Sequence, residues 1–261
     1  MSAPLADLRA LFDLNRQVIV ITGAGRGIGL AMARGLGAHG ARIVVAELDH
    51  GRGADAAAGL IAEGIDAVSI DCDVTSAESV DHLLQETATR FGEVDVLINN
   101  AGMSARIAAE EYPAVEWDRM VALNLTGLFL CMRKTAKRWI DARRGGRIIN
   151  LASFAGVVAD PMSAPYAATK GGVVQLTRTC AVEWAPHGIL VNAIGPGYVR
   201  TDMTAHTLDH PETGASVRAR TPLGRPANPD ELIGAAVYLS SRASSYVTGH
   251  ILMVDGGWTA V

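Results

Sequence analysis

Apolar residues follow two alternating rhythms along this chain. Short, nearly continuous aliphatic runs come first: Val18-Ile-Val-Ile-Thr22, Arg42-Ile-Val-Val-Ala46, Ala67-Val-Ser-Ile70 and Val94-Asp-Val-Leu-Ile98. Arg147-Ile-Ile-Asn-Leu151, Leu190-Val-Asn-Ala-Ile194 and the run from His250 to Val254 continue the series. Runs of this length, rich in β-branched residues, read as strands buried on both faces. Between them the apolar spacing lengthens to three and four, as in Ile28, Met32 and Leu36 or Val80, Leu83, Leu84 and Ala88. That is a helical face. Further helices are predicted over 54–62, 116–140, from Tyr166 to Trp184, and over 230–239. Thr75 before Ser76-Ala-Glu78 reads as a helix cap.

Strand–helix alternation of this kind implies an α/β, doubly wound domain: about seven parallel strands, helices on both faces, right-handed crossovers. No linker or repeat divides residues 1–261, so one domain is expected. Residues 198–228 break the rhythm. Pro211, Pro222, Pro226 and Pro229 disfavour a continuous helix. A loop of this length is either a cover for a site or a mobile surface segment; 198–225 is expected to be the cover.

Composition narrows the function. A 261-residue chain with 49% apolar residues has a large core to bury. Its net charge of −4 gives no basic face for nucleic acid. Cys72, Cys131 and Cys180 are widely spaced, with neither a disulfide framework nor a zinc pattern. The seven histidines form no metal-binding group. Residues 1–16 lack the apolar run of a signal peptide, and no stretch is long enough to span a membrane. A cytoplasmic setting is expected.

Two local patterns carry chemistry. The first strand runs into Gly23-Ala-Gly-Arg-Gly27-Ile-Gly29, and a helical pattern follows. Strand, glycine turn and helix suit a dinucleotide: backbone can approach the pyrophosphate, and the helix end offers free N–H groups. The spacing is G-x-x-x-G-x-G, not the common G-x-G-x-x-G. Glu47 ends the second strand, where a carboxylate can hold both adenosine ribose hydroxyls and repel a 2′-phosphate. Arg26 argues the other way, but Leu48 places no cation directly after Glu47. NAD is therefore expected over NADP.

The second pattern is Ser163-Ala-Pro-Tyr-Ala-Ala-Thr-Lys170, with Tyr166 and Lys170 at i and i+4. On a helix they are neighbours. Tyrosine titrates near ~10, and an adjacent cation lowers such a value by roughly 1–3 pH units. The pair thus suggests a proton carrier for redox chemistry on an alcohol, though the same spacing also occurs in plain surface pairs.

Together these segments resemble the short-chain dehydrogenases/reductases, from about Leu11 to the C-terminus. Thr22-Gly-x-x-x-Gly-x-Gly29, Asp73-Val74, Asn99-Asn100-Ala101-Gly102, Asn124, Ser153, Tyr166, Lys170, Pro196-Gly197 and Thr201 carry the likeness. The resemblance implies a Rossmann-type fold and hydride transfer between a secondary alcohol and a ketone. Asn124, Ser153, Tyr166 and Lys170 are its implied catalytic residues, with Asn124 holding a water that relays protons from Lys170. Gly23, Arg26, Gly27, Ile28, Gly29, Glu47, Asp73, Val74, Asn100, Ala101, Gly102, Tyr166, Lys170, Pro196, Gly197, Val199 and Thr201 would hold the coenzyme.

Met103, Ser104, Arg106, Phe154, Tyr198 and Met203 are candidates for the substrate. Arg106 either meets a substrate carboxylate or is simply solvated. Leu11-Phe-Asp-Leu14 and the segment from Val254 to Ala260 are similar to the branch acting on polyols and sugar acids, the gluconate 5-dehydrogenases. A polyol, sugar or sugar acid is the expected small-molecule partner. The alternatives are an NADPH-dependent 3-oxoacyl-thioester reductase and a dinucleotide-sensing binding protein. The family also implies a homotetramer, built through the helices carrying Asn124 and Tyr166 and the last strand.

Overall fold

The computed structural model describes Leu8 and residues 10–261. The expectation that 1–16 is not a signal peptide therefore falls partly outside the described residues. Seven strands form one parallel sheet: β1 Val18–Thr22, β2 Arg42–Glu47, β3 Ala67–Asp71, β4 Val96–Asn99, β5 Gly146–Leu151, β6 Ile189–Pro196 and β7 Ile251–Val254. Their order is β3-β2-β1-β4-β5-β6-β7. The chain reverses direction across the sheet beside β1, which pairs with β2 on one side and β4 on the other. Ligand crevices open at such a switch point, at the carboxyl ends of the strands.

Burial explains the continuous apolar runs. All five residues of β1 are buried. Val18 and Val20 face one core with Leu83, Met132, Trp139 and Val173. Ile19 and Ile21 face the other with Met32, Leu36, Leu60 and Val237. Side chains alternate across a strand, so a strand covered on both faces must be apolar throughout. The helices doing the covering are α1 Gly27–Ala38, α2 His50–Ala62 and α3 Ala77–Phe91. Ser76, rather than Thr75, caps α3 by accepting from Ser79 N at 3.2 Å.

The long helix expected over 116–140 is interrupted. It consists of α4 Ala114–Val121, a π-helical turn Ala122–Gly127, and α5 Leu128–Asp141. Then come α6 Ala164–Trp184, α7 Asp202–Asp209, α8 Pro211–Arg220 and α9 Ile233–Ser240. The segment expected as an irregular loop is thus largely two short helices. The break expected from proline falls between α7 and α8. Pro211 opens α8, where its missing N–H costs no helical bond. A third, small core of Phe154, Ala155, Leu208, Val217 and Trp258 lies against these helices. No described helix is long and apolar enough to cross a membrane.

Candidate active site

A cleft of about 450 Å³ opens at the carboxyl ends of the strands. Gly23, Arg26, Gly27, Ile28, Glu47, Asp73, Val74, Asn100, Ala101 and Gly102 line one end. Ser153, Tyr166, Lys170, Pro196, Gly197, Val199 and Thr201 line the other. Gly29 does not face it. A Cβ there would sit 2.5 Å from Gly23 O and 2.6 Å from Asn100 Nδ2, so Gly29 lets the turn close on its own helix. Gly23 and Gly27 have φ of +62° and +56°, a region side chains disfavour. The turn is braced from β4: Asn100 Nδ2 donates to Thr22 O and Gly23 O, each at 2.9 Å. Thr22 Oγ1, which opens the glycine motif, accepts from Asn100 N and Ala101 N at 3.0 and 3.1 Å.

These residues fit a dinucleotide. No side chain caps the N-terminus of α1, leaving first-turn N–H groups for an anion. The glycine turn keeps Cβ atoms out of the space beside it. Gly197 allows a similar close pass: a Cβ there would lie 2.8 Å from Asp255 Cα.

Glu47 is held by more partners than the sequence implies. Its Oε1 accepts from Arg52 at 2.8 Å and from the backbone of Leu48 and Asp49 at 3.1 and 3.4 Å. Its Oε2 accepts from Gly25 N at 3.1 Å. Burial alone would raise its pKa, but the bonds from Arg52, Asp49 N and Gly25 N outweigh that and hold it low. Only Oε2 keeps capacity for a ligand. The cation that Leu48 did not supply comes from Arg52, brought back beside Glu47 by the first turn of α2.

Tyr166 and Lys170 share a face of α6, with Nζ 5.6 Å from the ring centroid. Lys170 Nζ donates to Leu151 O at 2.5 Å. Burial pushes the Lys170 ammonium down to about 8. The phenol of Tyr166 moves up, not down: burial raises it, Asp160 adds to that, and the Ser153 hydroxyl opposes. Burial outweighs the Ser153 hydrogen bond, so the shift is upward where the sequence suggested a lowering. Ser153 lines the cleft while its Oγ also accepts from Ala155 N at 3.1 Å, capping the turn Phe154–Gly156.

Asn124 is fully buried on the π-helical turn. Its Nδ2 donates to Met103 O at 2.8 Å and its Oδ1 accepts from Met103 N at 2.9 Å. Its side-chain amide thereby ties the π-helical turn to the backbone of Met103.

At the substrate end, Met103 and Met203 line the cleft. Ser104, Arg106, Phe154 and Tyr198 do not. Arg106 has partners within the protein that the sequence did not point to. It donates to Asp160 at 2.9 Å, to Tyr198 Oη at 3.0 Å and to Pro161 O at 2.9 Å. The side chain of Asp160 is 8% exposed, and the sequence carried no signal for it. Burial and Asp160 push the Tyr198 phenol up to about 12. Phe154, Tyr198 and Trp258 stack with centroids 5.0–5.3 Å apart, and Arg220 lies 4.3 Å over Trp258. Arg26 on the glycine turn meets Asp202 of α7 at 3.1 Å, both exposed. Leu48 also lines the cleft, as do Arg119 and Leu123, which the sequence did not single out. Among the described residues, no cluster of His, Cys, Asp or Glu is fit to hold a metal.

The chain resembles known proteins over nearly its whole length. A family model described as enoyl-(acyl carrier protein) reductase matches residues 23–259. The 5-keto-D-gluconate 5-reductase of Escherichia coli K12 is 41% identical over 247 residues, covering 95% of this chain and 97% of that protein. The gluconate 5-dehydrogenase of Gluconobacter oxydans is 41% identical over 253 residues, with 95% and 97% covered. A crystal structure of a gluconate 5-dehydrogenase from Burkholderia cenocepacia, in complex with NADP and tartrate, superposes with a TM-score of 0.93. It is 38% identical, with 97% of this chain and 98% of that one covered.

Proposed function

We propose that this chain, which belongs to the short-chain dehydrogenase/reductase family, interconverts a secondary hydroxyl and a ketone on a sugar acid of the gluconate type. A bound nicotinamide coenzyme supplies the hydride acceptor in one direction and the donor in the other. The observation that carries the reading is the meeting of Ser153, Tyr166 and Lys170 at the mouth of a cleft whose other end is a glycine turn. Relatives named for gluconate and 5-ketogluconate chemistry support the substrate class.

In this reading Tyr166 Oη takes the proton of the alcohol and returns it to the ketone. Ser153 donates to the substrate oxygen and favours the charge gathering there. Lys170 adds positive charge beside Tyr166, and Asn124 fixes Met103 at the cleft wall. Burial favours the protonated phenol, so the free enzyme is set for proton donation to a ketone. Oxidation needs added positive charge to draw the proton off. NAD is the preferred coenzyme, through Oε2 of Glu47 on the adenosine ribose. Residues 198–225, with α7 and α8, cover the substrate within a single catalytic domain. The chain assembles as a tetramer; exposed Val115, Trp117, Phe129 and Val182 on α4, α5 and α6 support that.

Absorbance at the nicotinamide band tests the function directly. Gluconate with NAD and 5-ketogluconate with NADH should turn over faster than neutral polyols, 3-oxoacyl thioesters or steroids. A panel in which no sugar acid leads rejects the substrate class. A chain that binds coenzyme but turns over nothing is a sensor.

A further inference from the structure

We propose that Asp160 is a positioning residue for the proton step: its carboxylate biases Tyr166 toward the protonated phenol, and the Arg106 guanidinium paired with it limits that bias. This rests on the reading of Tyr166 as the proton carrier given above. Asp160 stands in the loop that leads into α6, outside the cleft lining. Arg106 donates to its Oδ2 at 2.9 Å, and Tyr198 Oη donates to both carboxylate oxygens at 3.2 and 3.3 Å. The loop itself is drawn tight. Ser163 Oγ donates to Asp160 O at 2.6 Å, and Ile107 N donates to Met162 O at 3.0 Å. Met162 is held at φ +60°, a conformation that a side chain disfavours and that persists only where its surroundings enforce it. The carboxylate is therefore fixed in place, almost shut off from water.

Packing joins this pair to the proton carrier. Tyr166 and Tyr198 both lie on the small core of Phe154, Leu208, Val217 and Trp258. Phe154, next to Ser153, stacks on Tyr198 with centroids 5.2 Å apart. Away from water a charge acts over a longer distance, and a negative charge opposes loss of a proton from a phenol. Asp160 acts on Tyr166 in that sense, alongside burial and against the Ser153 hydroxyl. The other charged and titratable groups come from four elements. Lys170 lies on α6 itself, over the Tyr166 ring. Arg106 enters from the segment after β4 and Tyr198 from the one after β6. Arg220 comes from α8 and covers Trp258. Of these three cations, Arg106 is the one paired with Asp160. The consequence has a direction. Reduction passes the Tyr166 proton to the ketone oxygen as hydride reaches the carbon, whereas oxidation needs that proton gone. Asp160 favours the first, and Arg106 keeps the second within reach.

The test is the pH profile of kcat for gluconate oxidation with NAD and for 5-ketogluconate reduction with NADH. An ultraviolet difference titration of the phenolate band, with Tyr166→Phe subtracted, gives a second readout that needs no turnover. Asp160→Asn should move the rising limb of oxidation, and the Tyr166 titration, to lower pH by about half a pH unit or more. Arg106→Gln, which leaves the carboxylate without its cation, should move both the other way. The double variant has lost both charges and should return toward wild type. Tyr198→Phe removes a bond to Asp160 without changing any charge, so it should lower the melting temperature and leave the profile in place. Unmoved profiles, a shift of the same sign from both single variants, or a Tyr198→Phe shift as large as that of Asp160→Asn overturns the proposal. If Asp160→Asn does not fold, the sign of the Arg106→Gln shift decides. A wild type that turns over no sugar acid rejects the function proposed above, and the titration still decides this one.

Discussion

The adenosine end of the cleft and the substrate end are made of different material. The first is mostly backbone: a glycine turn, an uncapped helix end and the amides around Glu47, braced by Thr22 and Asn100. The second is mostly side chains gathered from afar, with Met103, Ser153, Tyr166, Lys170 and Met203 brought in by separate segments and a network of Arg106, Asp160, Tyr198 and Trp258 nearby in the fold but outside the lining. A backbone-built site tolerates change in its neighbours and binds a common ligand. A side-chain-built site is reshaped by single substitutions, which suits a pocket that distinguishes one hydroxy acid from another.

Substitutions confined to one end should leave the other working. The largest effect belongs to Tyr166→Phe. Turnover should fall by ~10²–10⁴, the usual worth of general acid–base catalysis, with NADH affinity unchanged by fluorescence titration. A fall below about tenfold would remove Tyr166 from the proton path. Gly29→Ala comes next. The new Cβ meets Gly23 O, which is backbone and cannot step aside. It should cost about 1–3 kcal/mol in urea unfolding and weaken NADH binding. The ratio of rates across a substrate panel should hold; a shifted panel would join the two ends.

Asp160→Asn leaves Arg106 with a buried partner that no longer carries charge. KM for the sugar acid should change by up to roughly tenfold, and the melting temperature should drop, while coenzyme affinity stays fixed. Equal changes in both constants would place Asp160 outside the substrate end.

The smallest effect is on stability against pH. Lys170 has its pKa lowered from 10.5 to about 8 by burial. The unfolded chain therefore holds a proton there that the folded chain has lost between those values. Stability contributed by this group is depressed below about pH 8 and recovers as pH rises toward 10.5. Wild type should gain in melting temperature relative to Lys170→Met across that window. A difference flat in pH would show that the ammonium is not desolvated.

Much of the architecture was legible because parallel strands covered on both faces are nearly continuous apolar runs, as β1 is from Val18 to Ile21 and β2 is between Arg42 and Glu47. The coenzyme end was legible for a related reason, since glycines at φ near +60° and close approach leave a spaced signature. Arg52 was missed because only the residue after Glu47 was weighed, whereas a helical turn returns a residue five positions on. Asp160 was missed because a buried charge in a loop has no period. Proline misled at Pro211, where it starts a helix as readily as it ends one. The π-helical turn left no trace, since one extra residue barely alters apolar spacing.

That turn ties two distant requirements to a single register. An α-helix advances about 100° per residue. Deleting one residue of 122–127 would remove the extra residue the π-helical turn accommodates and close it to ordinary α-helix. Leu128, Met132 and Trp139 could then keep their face, but residues inside the turn would rotate and the carboxamide at 124 would lose its grip on the cleft wall. Length in this helix is therefore inherited as a unit, and side chains along it can drift far more freely than its residue count.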